Sequence, residues 1–192
     1  MQIIHYPHPT LRHKSKPVQR VDAELRKMVS QMFELMYEAN GVGLAANQVD
    51  LPLRLFVVNT AAKPGEGEEL VFINPVLSKP KGNEESEEGC LSLPGIYGNV
   101  RRPKQIHVNA YSMRGEEISA DLTGLLARVV QHETDHLDGV LFIDRMTESA
   151  QRTLEGPLEE FQMEFQQRQQ EGSIAAERAI LERLSGLEKQ YC

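Results

Sequence analysis

The 192-residue chain reads as an α+β protein: a helix carrying the pattern HExxH packed against mixed or antiparallel β-sheets, with a helical extension at the C-terminus. Three observations lead there. Apolar side chains recur at intervals of three and four in two separate stretches, the period of a helix with one buried face. Short runs rich in Val, Ile, Leu and Phe, punctuated by Gly, Pro and Asn, lie between them and have the character of strands and turns. After Thr147 the composition shifts to Glu, Gln and Arg with few apolar residues. The length suits one core and is short for two, so the division expected is a main domain over residues 1–147 and a polar, helical extension over 148–192.

The elements follow in order. The opening MQIIHYPHPTLRHKSKPV holds Pro7, Pro9 and Pro17 and fits an extended arm better than a helix. From Asp22 to Asn40, Leu25, Met28, Val29, Met32, Phe33, Leu35 and Met36 mark one helix, with Asp22 as its N-cap and Gly41 as its terminating glycine. GVGLAANQ, Gly41 to Gln48, is crowded with small residues, so its backbone can approach another object closely. LRLFVVN and LVFINP read as strands split by the loop AAKPGEGEE, and NEESEEGCLSLPGIYG as a loop or strand edge. IHVNAYS and EISAD form a hairpin around Arg114-Gly115. A second helix runs from Thr123, its cap, to Leu137, and Asp138-Gly139 ends it. Beyond Thr147 the pattern gives one or two surface helices, broken near Gly156-Pro157 and Gly172-Ser173.

Composition narrows the function. Apolar and charged fractions of 40% and 26% are those of a globular protein. A net charge of −7 gives no electrostatic case for nucleic acid or an anionic membrane. No apolar run approaches a membrane span, and the opening lacks the apolar core of a secretory leader, so the expected compartment is the cytoplasm. Cys90 and Cys192 cannot build a disulfide framework, and Cys192 is expected to be exposed at a fraying end. Cys90 is therefore a small buried hydrophobe or a ligating or reactive thiolate.

The chemistry concentrates in QHETDHL, Gln131 to Leu137. His132 and His136 are four apart, so both imidazoles can point at one ion from one helix. Glu133 can reach a water on that ion without ligating it. Leu125, Val129, His132, Glu133 and His136 share a side of the helix, so the polar trio continues an apolar stripe and faces inward. A catalytic site needs a third ligand and an open position. The downstream candidates are Asp138, Asp144, Glu148 and Glu155, as in a metal-dependent peptidase; the upstream one is Cys90.

GVGLAANQ, EGCLS (Glu88 to Ser92) and QHETDHL together resemble the three motifs of the peptide deformylase family, in order and at similar separations. The resemblance runs from about Ile3 to Met146 and takes in YPHPTLR and FINP. It implies a metal-dependent hydrolase that removes the N-formyl group from the initiator methionine of new polypeptides and releases formate. It implies that Cys90, His132 and His136 hold one divalent metal, ferrous iron in the cell, with nickel or cobalt as good substitutes and zinc usually poorer. Glu133 would act as the base, and the Gln48 amide and Leu91 N–H would stabilise the oxyanion. Gly43 and Gly89 would line an extended peptide, and Leu125 and Val129 would wall the methionine pocket. The implied partners are formylmethionyl peptides and nascent chains at the ribosome, with no direct nucleic-acid or membrane contact.

The chain departs from the family at Tyr97, where many members carry an arginine that ties the loop; Arg101 and Arg102 follow later. Arg128 is expected on the outer side of its helix, snorkelling to water. A metal-stabilised or metal-free binding protein that keeps the fold is the remaining alternative, but a purely structural site requires neither Glu133 nor Gln48. The polar tail, remote from all three motifs, is expected to be dispensable: a chain ending after about Gln151 is expected to fold and remain active.

Overall fold

The computed structural model describes Met1–Cys192. An extended arm with a 3-10 turn at Pro9–Arg12 leads to α1 (Ala23–Glu38). Asp22 caps α1 by accepting from the Leu25 N–H at 2.9 Å. The left-handed residue at its C-terminal end is Asn40, at φ 55°, so the terminating role expected of Gly41 falls one residue earlier. Then come β1 (Gly43–Ala45), a 3-10 turn at Ala46–Val49, β2 (Leu55–Val58) and β3 (Leu70–Lys81). Two strands, β4 (Glu84–Cys90) and β5 (Leu93–Arg102), occupy the stretch read as a loop or strand edge. The expected hairpin is β6 (Gln105–Tyr111) and β7 (Glu117–Thr123), and α2 (Gly124–Leu137) carries the HExxH pattern. Thr123 takes the N-cap position of α2 without a side-chain bond, and Asp138 with Gly139 at φ 73° ends it.

β1-β2-β3-β6-β7 form one antiparallel sheet, and β4-β5 a separate antiparallel pair. The sheet is covered on both faces by helices. Successive residues of a strand point to opposite faces: Leu55 and Val57 meet Leu25, Met32 and Met36 of α1 in one cluster, while Phe56 and Val58 meet Ala127, Val129 and Val130 of α2 in another. That is why LFVV is buried without alternation. Each such aliphatic or aromatic side chain contributes about 1.5–3 kcal/mol when fully buried. A third cluster, with Leu11, Leu93, Ile96, Val100 and Phe142, lies under the β4-β5 hairpin.

The tail departs most from expectation. It folds as α3 (Glu148–Arg152), α4 (Glu155–Gln170) and α5 (Glu177–Tyr191), so breaks fall near both expected places. α5 is docked rather than merely superficial. Ile180, Leu184 and Tyr191 are buried, and Tyr191 joins the α1 cluster. The Gln19 N–H donates to the Tyr191 carbonyl at 2.7 Å, and Glu188 accepts from Lys16 Nζ and pairs with His13 Nε2, both at 2.8 Å. Cys192 is accordingly half-buried, its Sγ 3.6 Å from the Lys16 carbonyl, and not a fraying end. No helix is long and apolar enough to cross a membrane.

Candidate metal centre

Three elements bring the motifs together. α2 presents His132 and His136 one turn apart, β4 ends at Cys90, and the 3-10 turn after β1 supplies Gln48. Cys90 Sγ lies 3.2 Å from His136 Nε2, which lies 3.3 Å from His132 Nε2. A first-row cation at roughly 2.0–2.3 Å from three such ligands at tetrahedral angles separates them by about 3.3–3.6 Å, so the donor set fits. Burial presses the His132 imidazole down, but Cys90 and Glu88 outweigh it and hold it up at about 10. Burial and the charged His132 drive His136 well below its ordinary value.

None of the four carboxylates counted for a peptidase joins the two histidines: Asp138 pairs with Arg54, Asp144 with Arg12 and Glu148 with Arg152, and Glu155 lies in the first turn of α4. The only cluster of three or more His, Cys, Asp or Glu side chains whose donor atoms converge for a metal is Cys90, His132 and His136.

Glu133 is buried beside the cluster, with Oε2 lacking any hydrogen-bond partner. Burial raises its carboxyl to about 7, against the lowering effect of His132 and Arg102. A carboxyl balanced near neutrality both takes and releases a proton readily. Gly43 lies directly across: a Cβ there would sit 2.5 Å from Glu133 Oε1 and 2.8 Å from Val129 Cγ1. Gln48 is fixed at both ends of its amide. Its Oε1 accepts from the Ala45 N–H at 2.9 Å, and its Nε2 donates to Ser92 Oγ at 3.2 Å and Cys90 Sγ at 3.4 Å. Leu91 sits in the turn between β4 and β5, where its N–H is engaged by no backbone carbonyl.

These groups open on a cleft of about 640 Å³. Gly43, Gly89, Leu91, Leu125 and Val129 all line it. Val129 is buried at its wall, whereas Leu125 is 53% exposed at its rim. Tyr97, also exposed, packs its ring against Gly89, where a Cβ would come 2.7 Å from Tyr97 Cε1.

Behind the cluster lies a charge network that sequence reasoning only grazed. Glu88 accepts from Arg102 Nε at 2.7 Å and Nη2 at 2.9 Å, and from Arg128 Nη1 at 2.7 Å, and it pairs with His132 Nδ1 at 3.0 Å. Burial alone would raise the Glu88 carboxyl, but His132 and Arg102 hold it down at about 2. Such a carboxylate fixes the ring orientation of a ligating histidine. Arg102 also reaches Asp135 at 2.8 Å, so it supplies the tie that Tyr97 cannot. Arg128 does not snorkel outward: it donates to Glu88 and to the carbonyls of Val100 and Glu84, clamping the hairpin to α2.

Comparison with known proteins agrees with this geometry. The family model described as polypeptide deformylase matches residues 1–152. A peptide deformylase of Rhodopirellula baltica is 52% identical over 191 residues, covering 100% of this chain and 95% of that protein. One from Neisseria meningitidis serogroup B is 42% identical, covering 84% of this chain and 96% of its own. The crystal structure of peptide deformylase 1B from Arabidopsis thaliana superposes with a TM-score of 0.84 at 43% identity, over 88% of this chain and 93% of that one. With matches of this extent over a site that brings all three motifs together, the chain belongs to the peptide deformylase family.

Proposed function

We propose that Cys90, His132 and His136 hold the divalent cation with which this peptide deformylase removes the N-formyl group from the N-terminal methionine of new polypeptides. The observation that carries this assignment is the convergence of three donor atoms beside a buried Glu133 oxygen with no partner. A cation bound there supplies a Lewis acid and lowers the pKa of water. Glu133 takes a proton from the attacking water and returns it to the departing peptide nitrogen. The Gln48 amide and the Leu91 N–H donate to the oxyanion that develops on the formyl oxygen, where charge appears only as the reaction proceeds. Gly43 and Gly89 leave room for an extended peptide to lie along the backbone. Val129 and Leu125 form the wall and rim of the methionine pocket. Residues 1–147 carry this chemistry, and 148–192 form the extension.

For the metal we assign ferrous iron in the cell. Two imidazoles and one thiolate suit iron, cobalt, nickel and zinc alike, and an affinity order that places zinc above ferrous iron does not decide activity. The family resemblance supports iron, with nickel or cobalt as working substitutes. The setting is the cytoplasm, on nascent chains at the ribosome, without direct contact to nucleic acid; the net charge of −7 supports the last point. The test is to prepare iron, nickel and zinc forms from one apo batch and measure formate release from a formylmethionyl peptide, beside cleavage of an unformylated one. Formate release without peptide cleavage is expected, fastest with iron or nickel. Peroxide should inactivate the iron form first, since it oxidises the metal and carries Cys90 up the oxidation ladder. Peptide cleavage without formate release would overturn the assignment.

A further inference from the structure

The N-terminal arm lies between the two segments assigned as oxyanion donors and is bonded to both. The Ile4 N–H donates to the Gln48 carbonyl at 2.8 Å, and the Tyr6 N–H to the Ser92 carbonyl at 2.9 Å. Ser92 in turn accepts from the Gln48 amide. The arm is thus a strut across the site's floor.

What holds the arm comes from the C-terminal extension. On α4, Gln162 donates to the Tyr6 hydroxyl at 3.3 Å, and Phe165 meets the buried His8 ring edge-on at 6.0 Å. On α5, Arg183 forms an ion pair with the Asp50 carboxylate and donates from Nη1 to the Asp50 carbonyl at 3.0 Å. Asp50 sits two residues after Gln48 and closes its 3-10 turn at φ 67°, in the left-handed region. Its carboxylate also accepts from the buried Thr10 hydroxyl at 2.5 Å. Asp50 therefore gathers the arm, the Gln48 turn and α5 at one point.

We propose that the extension positions the oxyanion-binding segment, and that Arg183 is a positioning residue for Gln48, acting through Asp50. The proposal rests on the reading of Gln48 as an oxyanion donor. A donor is effective only when aimed where charge develops, and a displacement of about 1 Å from a distant change can cost on the order of a hundredfold. Because Gln48 serves the transition state, loosening it should lower kcat and leave KM in place.

The experiment is a double-mutant cycle in the full-length metal-loaded protein: Arg183→Ala, Gln48→Ala and both together. kcat and KM are measured for formate release at matched metal content. Arg183→Ala is expected to lower kcat about tenfold with KM within about twofold, and to cause no further loss in the Gln48→Ala background, since a residue acting through another is not additive with it. Arg183→Lys, which keeps the charge but not the forked geometry, should recover part of the rate. Arg178→Ala, which removes only an exposed pair with Glu182 on the same helix, should leave kcat unchanged. Should Arg183→Ala fold poorly, Thr10→Val probes the same Asp50 contact from the arm and carries the same expectation. A full Arg183→Ala loss that persists in the Gln48→Ala background overturns the positioning role alone, as does a lowered Tm with unchanged kcat. Full activity in Gln48→Ala by itself overturns the donor assignment and the proposal with it.

Discussion

α2 and α5 each bury a glutamate, Glu133 and Glu188, and the chain provides for the two in opposite ways. Glu133 has one oxygen with no partner, and burial lifts its carboxyl to about 7. For Glu188, burial also pushes upward, but hydrogen bonds from Lys16 and His13 outweigh it and bring the carboxyl below its ordinary value. The first is the group proposed to carry the proton; the second is a fixed charge that fastens the end of the chain to its beginning. Buried charge alone identifies neither role. What separates them is whether partners complete the group or leave it open toward a cleft.

The largest effect that sharpens this contrast should come from Glu133→Ala. It is expected to keep metal and fold while formate release falls by about 10²–10⁴, the usual contribution of a general base. Retention of more than half the activity would remove Glu133 from the mechanism.

Next comes the lock. Tyr191→Ala opens a cavity where α5 enters the α1 cluster, and a loss of about 3 kcal/mol in unfolding free energy is expected from denaturant titration. An unchanged midpoint would mean that the extension is dispensable, as its composition alone suggests.

That suggestion has a physical source. Ile180, Leu184, Leu187 and Tyr191 form a stripe at spacings of four, three and four, but Glu, Arg and Lys surround them. The face they dock on is built by the N-terminal arm and α1, at the other end of the chain. So sparse a stripe reads as a surface helix, and nothing local says what it meets. The β4-β5 hairpin was obscured differently: Glu84, Glu85 and Glu87 are all exposed, so the strand lacks the apolar alternation that normally marks one. Arg128 read as outward because its partners, Glu88 and two carbonyls, come from that same hairpin. By contrast α2, with its end at Asp138-Gly139, was legible, as was the His132 and His136 pair that one ion can meet from one helix face; spacing left the third ligand open between Cys90 and the downstream carboxylates, and only the resemblance pointed to Cys90, which β4 brings within 3.2 Å of His136.

A smaller effect is expected behind the metal. Glu88→Gln removes the charge that orients His132 and faces Arg102 and Arg128, and metal affinity should fall about 10- to 100-fold in a chelator competition. Wild-type affinity in that variant would show that the ring is held by packing alone.

The smallest effect is one of pH. The folded-state pKa of Glu188 is depressed, so its contribution is present above the unfolded value near about 4.3 and lost as pH falls through the folded value. Glu188→Gln should therefore cost about 1 kcal/mol at pH 7, with the difference from wild type shrinking as pH falls below about 4. A difference in unfolding free energy that is constant from pH 7 to pH 3 would contradict the ionic lock.

The division between an open catalytic end and a closed structural end meets its most direct test at the two cysteines, one in each region. Metal per chain is measured by elemental analysis on Cys90→Ser and Cys192→Ser, prepared in parallel without air and assayed for formate release. The expected result is parental metal content and turnover in Cys192→Ser, with loss of both in Cys90→Ser. Equal metal loss in the two variants, or parental metal in Cys90→Ser, would contradict the ligand set on which the mechanism rests.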